Sequence, residues 1–424
     1  MLKLGNTEIN ALGNNINKAY LGTIEVFGNV LTSLWQTTTA NETITLPTPT
    51  NYRVDWGDGT VTTNTNSHEY LVANQYTIKI SGHITDWTFF NFIQKTSLLN
   101  ISEYGGLNLI LGAFSDGINL NITATKQPRL TDTLSFVFNG CNSLVYNSSI
   151  SNWDTSGVNS MISTFQESTN FNQPLNWDTS SVTNMPSMFN SCTNFNQPLN
   201  FDTSSVIDMS FMFREALAFN SSVVFSDTSK VTNMSNMFRL CSNFNQPLNF
   251  DTSSVLNMKE MFRETVNFNS PIYFSDTSKV TDMTLMFYIA NIFNQPLNFD
   301  TSSVTNMTSI LFRARGFNQP LNWDTSKVTN MSSALRETLV FNQDISNLSF
   351  ASVTNMSNFM SSKGAEYDVN YMDNLYIKLD QDLIFANMVD INISFGSINY
   401  TSAGATARAS LVSKGFIITS GIQV

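Results

Sequence analysis

A phrase close to Phe-Asn-Gln-Pro-Leu-Asn-Trp-Asp-Thr-Ser-Ser-Val-Thr-Asn-Met recurs along more than half of the 424-residue chain. Its Phe-Asn pair falls at Phe171, Phe195, Phe219, Phe244, Phe268, Phe293, Phe317 and Phe341, in steps of 24 or 25 residues. A period of this size is the mark of a solenoid, in which one short unit stacks on copies of itself. Such an array presents a long regular surface and no built-in cleft. It tilts the expected function towards binding.

The residues of one period predict the path of one coil. Leu175 and Trp177 stand two apart and share a face of an extended segment. Asp178-Thr179-Ser180-Ser181 then turns the chain, and Val182 points inward. Asn184 sits where a helix N-cap is expected, and its equivalents are Asp208, Asn233, Asn257, Asp282, Asn306, Asn330 and Asn355. Met185, Met188 and Phe189 then have the i, i+3, i+4 spacing of one buried helical stripe, with Pro186 tolerated in the first turn. The expected fold class is therefore an α/β solenoid, each coil a short strand plus a short helix. Trp153, Trp177, Phe201, Phe250, Phe299 and Trp323 form an aromatic column that alternates with Leu, which favours the core over a sugar-stacking strip. Ser226 and Ser275 are insertions that account for the 25-residue steps and predict a bulge or longer corner.

Two polar columns repeat as strictly as the apolar ones. Asn172, Asn196, Asn220, Asn245, Asn269, Asn294, Asn318 and Asn342 are expected to bond to the backbone of neighbouring coils. Asp154, Asp178, Asp202, Asp227, Asp251, Asp276, Asp300 and Asp324 form a column of like charge, which needs local N–H donors or cations to be tolerated. Local bonding is the expected solution and calcium the alternative. Recognition must then fall to positions that vary between coils, such as Ser187, Asn190, Arg214, Glu215, Arg239, Lys259, Arg263 and Arg313.

Composition narrows the function classes. A net charge of −11 argues against nucleic acid, whose binders need clustered cations. Only 12% of residues are charged, so the surface is mostly Asn, Ser and Thr, suited to hydrogen bonding with glycans or proteins. The apolar stretch around Trp87 to Ile93 is far short of the roughly 20 residues that span a bilayer, so no membrane insertion is expected. Met1 to Asn10 lacks a basic segment followed by an apolar core, so no secretion signal is expected in the chain as written. Cys141, Cys192 and Cys241 occupy one equivalent position two coils apart each time, beyond disulfide reach, and read as small buried hydrophobes. The only histidines are His68 and His83, and no nucleophile-base arrangement, phosphate loop or metal-spaced cluster appears. No enzyme activity and no cofactor are expected.

Four segments are expected. Residues 1–29 carry an internal echo, Leu4-Gly5-Asn6-Thr7-Glu8-Ile9 returning as Leu21-Gly22-Thr23-Ile24-Glu25-Val26, and are too short to bury a core alone. Residues 30–91 read as a small β-domain, from alternating strands such as Tyr76-Thr77-Ile78-Lys79-Ile80 and the Gly57-Asp58-Gly59-Thr60 turn. Asp55 and Asp58 are a second possible calcium position. The array occupies 92–364. Residues 365–424 cap its end, with a helix from Ala403 to Lys414 and a strand at Phe416-Ile417-Ile418-Thr419.

These residues carry three resemblances. Trp56-Gly57-Asp58-Gly59 followed by His68-Glu69-Tyr70 resembles the PKD-like β-sandwich. The repeat phrase, Val54-Asp55-Trp56-Gly57-Asp58-Gly59-Thr60, Ala407-Arg408-Ala409-Ser410-Leu411 and Gly415-Phe416-Ile417-Ile418-Thr419 are together similar to BspA-type leucine-rich-like repeat surface proteins. That likeness covers roughly residues 31 to 424 and implies an external, adhesive role. Ile16 to Phe27 instead resembles short leaders on virion proteins of phages that infect Bacteroidetes. This similarity implies a virion location, with a phage tail fibre or receptor-binding protein that attaches to a host surface glycan or protein. Residues 1–29 would then hold other virion proteins, and phage fibres imply a homo-oligomer, a trimer by analogy. A bacterial cell-surface adhesin is the alternative and a glycan-degrading virion enzyme the third reading.

Overall fold

A computed structural model describes residues 30–48, 52–90, 92–145, 148–364, 366–383 and 392–424, with four two-residue strands nearer the N-terminus. Those strands form two antiparallel pairs, Lys3–Leu4 with Thr7–Glu8 and Tyr20–Leu21 with Ile24–Glu25. The two halves of the sequence echo thus adopt the same pairing. The rest of residues 1–29, and with it the expected attachment module, lies outside the described residues. The chain divides into two compact units, Met1–Ser181 and Val182–Val424.

The first unit is built on a six-stranded mixed sheet. Its order is Asn121–Ile122, Leu98–Glu103, Val30–Gln36, Gln75–Ser81, Arg53–Asp55, Val61–Thr63. Val30–Gln36 alternates in burial along its length, with Leu31 and Trp35 fully buried. The turn after Trp56 requires its glycine. Gly57 has φ +79, and a Cβ there would stand 2.5 Å from the Thr77 carbonyl oxygen. Asp55 accepts the Gly57 N–H at 3.1 Å, and Asp58 accepts the Thr60 N–H at 2.9 Å and bonds His68 Nε2 at 2.7 Å. Tyr70 donates its hydroxyl to the Trp56 carbonyl at 2.7 Å, and the His68 ring stacks on Trp56.

The sheet crosses the boundary expected at residue 91, because Leu98–Glu103 pairs with Val30–Gln36. Coil-type stacking also begins earlier than expected. His83–Ile84 pairs in parallel with Gly106–Leu107, and Asn108–Leu109 with Arg129–Leu130. Parallel pairing of residues little more than twenty apart is the signature of one coil lying on the next. The β-domain therefore shares its six-stranded sheet with the parallel pair Leu98–Glu103 and Asn121–Ile122, a continuity that alternation along single strands does not report, while His83–Ile84, Gly106–Leu109 and Arg129–Leu130 form a separate three-stranded sheet.

The second unit is a β-solenoid, its coils joined by parallel bridges running Asn184, Asp208, Asn233, Asn257, Asp282, Asn306, Asn330, Asn355. Val255, Met258, Met261, Phe262 and Phe268 of one coil are fully buried, as are their equivalents in the coils beside it. Each such side chain contributes about 1.5–3 kcal/mol before the entropy of ordering is subtracted. The rings stack coil on coil: Phe213, Phe238, Phe262 and Phe287 stand 5.3–5.7 Å apart, nearly parallel.

The expected helix in each coil is absent. The buried stripe is where it was expected, but Glu260 and Glu264 have φ of +58 and +60, which no right-handed helix contains. Every full coil repeats this pair of left-handed residues four apart, for example Ser187 and Ser191, or Leu285 and Ile289. The hydrogen bonds give the reason. The N–H groups of Met258, Glu260, Phe262 and Glu264 donate to Asp282, Thr284, Met286 and Tyr288 of the next coil at 2.7–3.1 Å. Those between them turn back within the coil, Met261 to Met258 and Arg263 to Glu260. A helix would satisfy its own backbone and leave neighbouring coils unlinked; here, with left-handed residues set four apart, every second N–H points along the array axis. The capping residue survives as an Asx turn: Asn257 Oδ1 accepts the Lys259 N–H at 2.9 Å, and Asn233, Asp282 and Asn306 do likewise. The architecture is thus a β-solenoid with few helices, not a strand-plus-helix coil.

The coils from Phe195 and Phe244 begin two similar double coils of 49 residues, since 244 − 195 = 49. In both, a three-residue strand pairs in parallel with the next: Leu199–Phe201 with Val223–Phe225, and Leu248–Phe250 with Ile272–Phe274. The inserted serines make the longer corner. Ser226 Oγ donates to Asp202 and accepts the Thr203 N–H, and Ser275 does the same at Asp251 and Thr252.

At the C-terminal end a helix, Val369–Asp382, packs against a second, Ser402–Ser413. Strand Asn392–Ser394 pairs in parallel with Ile417–Thr419, and the Ser394 carbonyl accepts the Met360 N–H at 3.0 Å, closing the last coil. Among the described residues, no helix is long and apolar enough to cross a membrane.

Candidate functional site

Most of the conserved-looking columns are occupied by the coil's own bonding. Asn220, Asn245, Asn269, Asn294, Asn318 and Asn342 each donate their backbone N–H to the Asn side-chain oxygen one coil before, at 2.8–2.9 Å, starting from Asn196. The Asp column is held locally. Asp154, Asp178, Asp202, Asp227, Asp251, Asp276, Asp300 and Asp324 each accept the N–H of the residue two further on, at 2.8–3.2 Å. Bonds from Ser204 and Ser253 hold the Asp202 and Asp251 carboxyls below their ordinary range. Among the described residues, no group of three or more His, Cys, Asp or Glu is placed to hold a metal ion.

The aromatic column is buried from Trp153 to Trp323. Phe225 and Phe274 continue it but are only half-buried: Phe225, Phe250, Phe274 and Phe299 stack at 5.6–6.2 Å. The three cysteines are buried and unbonded to one another. Burial raises the Cys141 and Cys241 thiols, which face the carbonyls of Phe114 and Ala216.

What remains is a strip on the wall with alternating handedness in the second unit. The position after the buried Phe213, Phe238, Phe262, Phe287, Leu311 and Leu335 carries Arg214, Arg239, Arg263, Tyr288, Phe312 and Arg336 in successive coils. Beside it stand Glu215, Lys259, Glu260, Glu264, Arg313, Arg315 and Glu337. The cations converge on two glutamates from different coils. Glu260 lies 3.1 Å from Arg239, 3.9 Å from Lys259 and 2.9 Å from Arg263. Glu337 lies 2.8 Å from Arg313, 3.5 Å from Arg315 and 3.9 Å from Arg336. Arg214 pairs with Glu215 at 2.7 Å, and Arg263 with Glu264 at 3.0 Å.

Aromatic rings lie beside the guanidinium groups. Arg263 lies 5.0 Å over Tyr288, and Arg313 and Arg336 lie 5.2 and 4.8 Å from the Phe312 ring centre. The bond from Arg313 holds the Glu337 carboxyl low, while burial and the charge of Arg263 lower the Arg239 guanidinium. The seven cations Arg214, Arg239, Lys259, Arg263, Arg313, Arg315 and Arg336 face four glutamates, a net +3 in a chain whose net charge is −11. Chemically the strip is a row of incompletely neutralised guanidinium donors.

Of the variable positions, Arg214, Glu215, Arg239, Lys259, Arg263 and Arg313 come together in this strip. Ser187 and Asn190 hold equivalent places in the first coil of the unit, where Asn190 is nearly buried and Ser187 donates its N–H to Ser210. Glu260, Glu264, Tyr288, Phe312, Arg315, Arg336 and Glu337 were missed. The signal was present, since Tyr288, Phe312 and Arg336 continue the column one coil at a time, but two aromatics interrupt its charge.

Stacked coils of 24 or 25 residues with bridged backbones define a tandem-repeat β-solenoid. The chain belongs to the family described as Mycoplasma protein of unknown function, DUF285, whose model matches residues 131–226, 221–321 and 297–375, together more than half of the sequence. No curated protein and no solved structure matches it.

Proposed function

We propose that this protein is a recognition module that attaches to a cell surface through the cationic strip of its solenoid. The observation that carries this reading is the gathering of seven of the chain's 21 lysines and arginines on one strip of an array whose other repeated charges are mainly the Asp side chains held in their turns. The repeat family and the BspA-type resemblance fit an adhesive role. In this reading the solenoid belongs to a phage tail fibre, mounted through residues 1–29, as the likeness of Ile16 to Phe27 to virion leaders supports. The Trp56 turn, with His68 and Tyr70 packed on it, supports a PKD-like domain beside the first coils.

The test is adsorption of the labelled full chain to Bacteroidetes cells. Arg313→Gln/Arg315→Gln/Arg336→Gln should reduce it strongly; equal adsorption of this variant and the parent would refute the strip as the contact. Proteomics of purified phage particles against host envelopes decides the mount. Recovery of the chain in envelopes alone would establish the second reading, a bacterial surface adhesin.

A further inference from the structure

The strip also has features that select its ligand. We infer that it binds an extended acidic polysaccharide, carboxylated or sulfated, laid along the array axis; this rests on the recognition role proposed above. Coils in a parallel stack follow one another at about 4.8 Å, so the column delivers one side chain per coil along a straight line. Its donors include guanidinium groups lying over Tyr288 and Phe312; Arg263 and Arg313 spend part of their N–H edges on Glu260, Glu264 and Glu337, and the remaining N–H groups can meet planar or tetrahedral oxyanions. The most open part is the cluster on Glu337, where three arginines meet one carboxylate and Arg315 keeps 52% of its side-chain surface. The Nε atoms of Arg214, Arg239 and Arg336 are shielded from water and lack a hydrogen-bond partner, so the glutamates do not saturate these side chains.

Other polyanions fit less well. Side chains on one face of an extended peptide recur at about 6.6 Å and would drift out of step with the coils. Duplex nucleic acid carries a charge every ~1.7 Å, far denser than a strip of net +3 can match, and the remaining surface would repel it.

The experiment measures binding of the full chain to polygalacturonate, dextran sulfate, neutral dextran, poly-glutamate and fragmented duplex DNA, by titration calorimetry at two salt concentrations. An acidic glycan should bind with salt-sensitive affinity and neutral dextran should not. Arg313→Gln/Arg315→Gln/Arg336→Gln should weaken binding about tenfold or more. Lys230→Gln/Lys279→Gln/Lys327→Gln removes the same charge from exposed sites outside the strip and should leave affinity within about twofold. Glu337→Gln should tighten binding, a sign that a merely structural ion pair would not give. Arg315→Gln alone, at the most exposed of the three, should weaken binding measurably and guards against misfolding of the triple variant. Equal loss in both triples, or tighter binding of DNA or poly-glutamate, would overturn the inference. If the strip variant loses cell adsorption while neither acidic glycan binds the parent, the ligand assignment falls and the recognition role stands.

Discussion

The paired left-handed residues of each coil make a prediction whose sign differs between the two possible walls. Ser187 and Ser333 have φ of +57 and +55, and each donates its N–H to the next coil, to Ser210 and Ser357. Left-handed backbone costs a non-glycine residue about 1–2 kcal/mol. Glycine escapes that cost but loses about 0.5–1 kcal/mol more in backbone entropy on folding. The net gain is about 0.5–1 kcal/mol per site. The two sites are six coils apart and should add, giving about 1–2 kcal/mol. Were these residues in a helix, each glycine would instead cost about 0.5 kcal/mol relative to serine. The second unit has 243 residues, 424 − 181, a size at which 1 kcal/mol moves the melting midpoint by about 2–4 °C. Calorimetry of Ser187→Gly/Ser333→Gly should therefore show the array's transition about 2–8 °C higher. The paired alanine variant, which keeps the left-handed cost, should leave it nearly unchanged. A fall with glycine and a rise with alanine would refute the left-handed wall and restore the helix.

Three further outcomes follow from the columns. Phe244 is fully buried and stacks on Phe219, Phe238 and Phe268 at 5.8, 4.2 and 5.7 Å, so Phe244→Ala should cost about 3–5 kcal/mol. Because coils touch only their neighbours, limited proteolysis should then cut near residue 244 first. Asn245→Ala strips the acceptor used by the Asn269 N–H and should cost about 1–2 kcal/mol in urea unfolding, whereas Asn245→Asp keeps that acceptor and should cost less; equal losses would contradict the ladder. The lowered Asp202 and Asp251 carboxyls contribute stability that is complete above the unfolded-state pKa of about 3.9 and is lost as pH falls through their lower folded values. An acid titration followed by circular dichroism should show no loss from neutral pH down to that point, and a loss beginning well above it would implicate other groups.

How much of this was legible in the sequence depends on what each signal reports. The period, the buried Phe and Met columns and the Asn ladder were readable because stacking forces the same residue into the same place. The i, i+3, i+4 stripe of Met185, Met188 and Phe189 reports which side chains turn inward, not the handedness of the backbone between them. In the second unit Ser, Phe, Glu, Asn, Leu, Ile and Arg occupy the left-handed positions, so no glycine marked them there, although Gly112 and Gly140 hold equivalent positions in earlier coils. Phe225 and Phe274 were hidden by Ser226 and Ser275, which shift the spacing to Asp. The helix Val369–Asp382 went unread although Met372, Leu375, Tyr376 and Leu379 repeat with helical spacing and are buried, and Asp368 accepts the Asn370 N–H as its N-cap. The strip was half legible: its arginines stood out as variable, but the reach of Arg239 to Glu260 and of Arg313 and Arg315 to Glu337 joins residues about a coil apart, a relation that only the coil register supplies.

The double coils at 195–243 and 244–292 carry a consequence for how such a molecule changes length. Unequal recombination between the two segments would insert or delete 49 residues at once, and every column would resume in register on the far side. Each event would lengthen or shorten the array by about 10 Å while leaving the terminal helices untouched. It would also add or remove a matched set of wall positions, including the pairs that hold Arg214 with Arg239 and Arg263 with Tyr288. Reach and grip therefore scale together: a lineage can tune how far the array extends, and how many charges a long ligand meets, without solving the fold again.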